Sequence, residues 1–277
     1  MTNSAVEATC ESKRPSLLQN FKGTVATPLD KDTYHIERWA TNGIRPAAFV
    51  VYPKDATDIS LAILFARAEK LPLAIAGGRH NTAGASSSEG GLIIDMRYMN
   101  SVRVDEETKV GYLQGGTTIH QAQTEFHKYG RATILGHCRT VGVVGLATGG
   151  GVGHGMGEYG LACDNIVSAT MVLANGDIVE VNETRNSDLL WGIKGGGSNF
   201  GVIAELGMRL HEPPVEYSIF GMSFVILGLG VLTISLRPVR VSLSSGAAIS
   251  PGGGDKHLAR SANPSGVDLS FHLPRTR

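Results

Sequence analysis

Neither sign of charge is in excess. With 25 lysines and arginines against 25 aspartates and glutamates, no electrostatic case exists for nucleic acid or an anionic membrane as a partner. Cysteine is scarce: Cys10, Cys138 and Cys163 form no CxxC pair and are too few for a disulfide framework, so they read as free thiols. The opening residues, MTNSAVEATCESKRP, hold no apolar stretch of the kind a signal peptide or membrane anchor needs, which makes the cytoplasm the default location. His35, His120, His127 and His211 are not spaced as metal ligands, and no metal is expected. What the chain does have is glycine, 36 residues of it. It follows no collagen-like period and gathers instead in a few loops between regular segments. Those loops are where a ligand's phosphates would go.

At 277 residues the chain can hold one large or two modest domains. Residues 1–43 read as a polar lead-in with a helix near 16–21. The run AAFVVY (47–52), closed by Pro53, predicts a strand. Ile59, Ala62, Ile63 and Ala66 then recur at helical spacing across 55–70, and Leu71-Pro72 stops the helix. Short β-formers follow at 73–76, 92–95, 101–105 and 109–114. A helix over 117–129 turns Ile119, Ala122 and Phe126 to one face and ends at Gly130. Residues 165–173 and 178–181 flank Asn175-Gly176-Asp177 as a hairpin. A helix over 188–194 and a strand over 201–210 complete a mixture without strict alternation, which argues for an α+β fold.

Three glycine clusters stand between these elements. In the first, AIAGGRHNTAG (74–84), Gly77 and Gly78 lack side chains, so successive backbone N–H groups can close on a phosphate. His80 is unusual there, because a phosphate cradle needs no imidazole. Either it is a polar loop residue facing water, or something reactive sits just beyond the phosphates. The second cluster, CRTVGVVGLATGGGVGHG (138–155), is too rich in glycine for a helix, where each glycine costs about 1 kcal/mol. Its backbone is expected to approach something flat or charged, and His154 either lines that ligand or faces solvent. The string GMGEYG (155–160) satisfies GxGxxG, yet more glycines precede it where the dinucleotide fingerprint requires a strand, so that reading is rejected. The third cluster, KGGGSNFG (194–201), offers Asn199 to a ribose or an adenine. Three loops converging on one large cofactor is the economical reading.

Taken in order, GGRHN, CRTVGVVGLATGGGVG, YGLACDNIVSATMVLANGDIVEVN and DLLWGIKGGGSNFGVI resemble the FAD-binding domain of berberine-bridge-enzyme-like flavin oxidases, of the vanillyl-alcohol-oxidase type. The resemblance spans residues 45–211 and implies a two-subdomain, PCMH-type FAD domain over 44–213, with FAD between the subdomains. It implies that His80 is bonded to the flavin's 8α-methyl group and, as in bicovalent members, that Cys138 is bonded to carbon 6. The residue-level alternative for Cys138 is a buried small hydrophobe; Cys163 is given that reading outright. Cofactor contacts fall by the same resemblance on Gly77, Gly78, Arg79, Asn81, Gly84, Thr140, Val141, Gly142, Gly145, Gly149, Gly150, Gly153, His154, Asn199 and Val202. The activity implied is hydride transfer from an alcohol or sugar-like C–H to flavin N5, with dioxygen as acceptor and hydrogen peroxide as product.

The chain departs from the family in three places. Arg79 intervenes between the glycines and His80, adding a bulky cation near the pyrophosphate. Met156 and Gly157 stand where a Ser-Arg pair is common, so that pair's role is not carried over. Beyond Pro214 the expected substrate domain, and with it the general base, is missing, so no catalytic base is assigned. Residues 219–236, IFGMSFVILGLGVLTISL, are apolar and uncharged, and a Ser/Gly/Pro-rich tail follows. This stretch reads as a transmembrane helix, as a β-rich segment, or as a segment foreign to the family left by a truncated or mis-spliced frame. The last is favoured, because amphipathic periodicity is absent. The competing function is therefore a non-catalytic flavin-binding remnant.

Overall fold

A computed structural model describes residues 20–213 and, beyond them, the backbone of four strands between 216 and 242. The helix expected near 16–21 lies outside the described residues but for Asn20 and Phe21. The chain divides into two units, Met1–Glu212 and Pro213–Arg277.

The first unit is built on two sheets. Strands β1 (Thr24–Ala26), β2 (Phe49–Tyr52), β3 (Leu73–Ala76) and β4 (Leu92–Asp95) form a sheet in the order β1-β2-β4-β3, with β2, β4 and β3 parallel and β1 antiparallel at the edge. Helix α1 (Ala56–Ala68) makes the crossover from β2 to β3. Asp55 caps its start by accepting from the Asp58 N–H, and Ile59, Ala62, Ile63 and Ala66 are all buried as their spacing predicts. Strands β2 and β4 are buried along their whole length, because α1 covers one face and Tyr34 and Ile36 pack on the other. Strand β1 lies within the stretch read as a mere lead-in. Three residues carry too little periodicity to signal a strand, and its position is fixed by tertiary bonds: the buried Asp58 carboxylate accepts from the backbone N–H groups of Lys22 and Lys54, each at 2.9 Å.

The second sheet is wholly antiparallel. Strands β5 (Val102–Asp105), β6 (Val110–Gln114), β7 (Ile166–Val172), β8 (Ile178–Asn182) and β9 (Val202–Arg209) run in the order β5-β6-β9-β7-β8. Its inner face buries Leu113, Ile166, Met171, Leu206 and Met208 beneath α2 (Ile119–Lys128), α3 (Val143–Thr148) and α5 (Ser187–Ile193), with the four-residue turn α4 (Met156–Tyr159) between. Its outer face presents Arg103, Tyr112, Ser168, Thr170, Glu180 and Glu205, the alternation of a sheet wet on one side. Helix α3 corrects the expectation that the second glycine cluster excludes a helix. Gly142 and Gly149 cap it, and burial of Val143 and Ala147 supports six residues with one glycine, Gly145, inside. The α+β class and the two-subdomain arrangement hold.

In the second unit β10 (Glu216–Ile219) pairs with β13 (Val239–Ser242), and β11 (Met222–Leu227) with β12 (Gly230–Ser235), all antiparallel. The described residues of the apolar run, Ile219, Met222–Leu227 and Gly230–Ser235, thus lie on strands, and the transmembrane-helix reading is set aside. Among the described residues no helix is long and apolar enough to cross a membrane.

Candidate cofactor site

The first glycine loop leaves β3 at Ala76 and meets the second within four residues. A Cβ on Gly78 would stand 2.0 Å from the Gly142 nitrogen, and one on Gly142 would stand 2.5 Å from the Gly78 nitrogen. Backbone is therefore laid directly on backbone, a closeness that no other residue type permits. The N–H groups of Gly77, Gly78, Arg79 and His80 donate to no acceptor among the described residues. Four unpartnered donors in sequence on a half-buried loop form the cradle that an anionic group fills.

Arg79 adopts a left-handed φ of 62°, and its guanidinium turns inward. It lies 3.5 Å from the carboxylate of Asp95, which is fully buried and also takes a 2.9 Å bond from Arg97. The guanidinium is thus directed at a carboxylate at the end of β4. This contact and the 3.1 Å bond from the Trp39 N–H to the Arg79 carbonyl bracket the strained residue. Asn81 closes the loop by accepting from the Ala85 N–H at 3.0 Å, and Gly84 supplies a φ of 85°.

His80 projects from this loop toward the second one. Its Nε2 lies 2.8 Å from the Thr140 hydroxyl, and the Cys138 sulfur lies 3.6 Å from that same hydroxyl. The Trp39 ring stacks on the imidazole, centroids 5.3 Å apart and planes within 19°. Burial, and then the neighbouring Arg79 charge, lower the His80 pKa, so the ring is neutral near pH 7. Cys138 is exposed. Hydrogen bonds from the Thr140 hydroxyl first, and from backbone N–H groups after it, draw its pKa down. A neutral imidazole and an acidified thiol, distant in sequence and joined through one hydroxyl, are two nucleophiles facing the same space.

The Cys138 loop is seated on the start of α2. Ile119 and His120 donate their backbone N–H groups to the carbonyls of Val141 and Arg139, at 2.9 and 3.0 Å. This satisfies two of the donors that a helix start leaves open. The Arg139 side chain reaches the His120 ring at 2.7 Å, while Thr118 and Gln121 form a reciprocal capping box. Further along, Gly150 has a φ of 110° and its carbonyl accepts from Cys163 at 2.8 Å. Gly153 lies where a Cβ would come within 2.1 Å of the Leu135 carbonyl. His154 meets His137 edge to face at 4.2 Å.

The third cluster joins the second through the Gly195 N–H, which donates to the Thr148 carbonyl at the end of α3 at 2.9 Å. Asn199 turns back on its own loop, its Nδ2 donating to the Gly196 carbonyl at 2.7 Å. Val202 begins β9 as a core residue among Phe49, Met96 and Val172. The structure thus gathers Gly77, Gly78, His80, Cys138, Thr140 and Gly142 at one place, and leaves the Asn199 and Val202 side chains engaged elsewhere. Cys163 is buried, as read, and His211 is held by Asn165 at 2.6 Å. Trp39 and Asp95 were not anticipated. A tryptophan in an otherwise polar lead-in was the one available signal for the former; the latter needs the sheet register.

Residues 47–182 match the family described as FAD binding domain. This segment belongs to that family. The chain is 40% identical over 201 residues to an FAD-linked oxidoreductase of Aspergillus terreus, covering 71% of this chain and 41% of the relative. Its fold matches 6-hydroxy-D-nicotine oxidase from Arthrobacter nicotinovorans with a TM-score of 0.70 and 31% identity, covering 73% of this chain and 45% of that one. Glucooligosaccharide oxidase from Acremonium strictum, described with a 6-S-cysteinyl, 8α-N1-histidyl FAD, matches with a TM-score of 0.67 and 27% identity, covering 74% and 44%. The fold is the one seen in berberine-bridge-enzyme-like and related flavin oxidases. The chain spans about two fifths of the length of the curated relatives it matches.

Proposed function

We propose that the chain holds FAD where its first two glycine loops cross, with His80 and Cys138 as the two points of attachment, and that it serves as an FAD-linked oxidase. The observation that carries this reading is the convergence of those two side chains on the Thr140 hydroxyl beside a run of unpartnered backbone donors. FAD, when bound, accepts a hydride from an alcohol or sugar-like C–H and passes its electrons to dioxygen, giving hydrogen peroxide. The residues divide the work of holding it. Gly77, Gly78 and the N–H groups of Arg79 and His80 receive the pyrophosphate, while Gly142 keeps the second loop close enough to cover it. His80 stays neutral and Cys138 acidified, the forms in which each is a nucleophile.

A second reading is that of a flavin-binding piece without turnover of its own, since no described residue is assigned as general base; the chain covers 41% of its Aspergillus relative. One experiment separates the two. FAD-loaded protein is mixed without oxygen with a panel of alcohols and oligosaccharides, and the flavin's visible band is followed. The oxidase reading expects bleaching by at least one substrate, then recovery with release of peroxide when oxygen is admitted. A protein that keeps its flavin and bleaches with none of them supports the piece and defeats the oxidase.

A further inference from the structure

Thr140 touches both proposed attachment residues, and its hydroxyl carries one proton. That arithmetic fixes a direction. A thiolate can only accept, so a Cys138 thiolate at 3.6 Å requires the Thr140 hydroxyl to donate to it. The Thr140 oxygen is then free to accept at 2.8 Å from the His80 Nε2–H. A neutral imidazole with its proton on Nε2 leaves Nδ1 as a bare lone pair, and Nδ1 has no hydrogen-bond partner among the described residues. The reverse arrangement, Cys138 S–H to Thr140 to Nε2, would place the proton on Nδ1 and leave neither group nucleophilic.

Other groups agree with the first arrangement. The nearest charges along both loops are turned away, Arg79 to Asp95 and Arg139 to His120, so neither substitutes for Thr140 at the sulfur. The Trp39 ring stacks on the imidazole that Thr140 holds at Nε2.

We propose that Thr140 is a positioning residue that readies both attachment sites at once, holding Cys138 as the thiolate and His80 as the tautomer with Nδ1 free. The proposal rests on the reading of His80 and Cys138 as flavin attachment points, and its test begins on protein without flavin so that the two can fail separately.

The readout is the pH profile of Cys138 alkylation by iodoacetamide in FAD-free protein, mapped to the Cys138 peptide by mass spectrometry. Thr140→Val removes the hydroxyl at nearly constant shape. It is expected to move the profile upward and slow alkylation at neutral pH by about tenfold, the effect of one pKa unit. Thr140→Ser should restore the wild-type profile. A second comparison isolates the histidine: in a Cys138→Ala background, Thr140→Val should slow covalent FAD attachment at His80 severalfold, and Thr140→Ser should not. Unchanged thermal melting of both variants separates positioning from misfolding. A Thr140→Val protein with the wild-type alkylation profile overturns the proposal, as does undiminished His80 attachment. If wild-type protein attaches no FAD while the alkylation shift is seen, the attachment reading fails and the Thr140–Cys138 contact stands.

Discussion

The tightest point of the site is the contact between Gly78 and Gly142, where an added methyl would meet backbone at 2.0 Å and has no flexible side chain to push aside. Gly78→Ala is therefore expected to drive the two loops apart, at a cost of about 1–3 kcal/mol as in other overpacked sites, and to remove FAD binding. Urea unfolding together with FAD titration checks both parts; an alanine variant that binds FAD as wild type does would mean the loops do not need to touch. This contact was half legible. The glycines of both loops announce close approach, but a sequence cannot say that they approach each other. Arg79 was less legible still, because its direction depends on Asp95, a partner 16 residues away that parallel pairing of β3 and β4 brings alongside. Trp39 shows the same limit: its stack on His80 joins positions 41 apart.

Elements with strong local signals came through intact. Helix α1, strands β3 and β4 and the β7–β8 hairpin lie within a residue or two of their expected bounds, since apolar spacing, caps and Asn-Gly turns act locally. Helix α3 did not, because six residues with an internal glycine are stabilised by what they bury and not by propensity. Strand β1 is three residues of edge pairing, held in place by tertiary bonds to Asp58. Helix α2 is the element with most bearing on the site, since its first turn both caps itself and carries the Cys138 loop. Thr118→Ala opens the capping box and should cost about 1 kcal/mol. Because the Val141 and Arg139 carbonyls dock on the same turn, this variant should also slow FAD attachment at Cys138 while leaving that at His80 in place. Denaturant melts and peptide mapping check the pair; equal loss at both residues would mean that the helix start does not carry the loop.

In the first unit two glycine loops cross, one leaving a parallel strand and one laid on a helix start. Order along the sequence was sufficient to suggest this, since GGRHN and CRTVGVVG are compact motifs. Their meeting at Thr140 is a property of the assembled unit alone. The central claim is that one flavin bridges both loops through His80 and Cys138, and the direct measurement is whether flavin stays with the unfolded chain. Protein purified with FAD is denatured, precipitated with acid and digested, and the peptides are searched for flavin. The account predicts that flavin stays with the polypeptide, on the peptides carrying His80 and Cys138. It further predicts that His80→Ala leaves attachment at Cys138 alone and that the double substitution releases all of it. Folded wild-type protein whose FAD is entirely freed by acid would contradict the account.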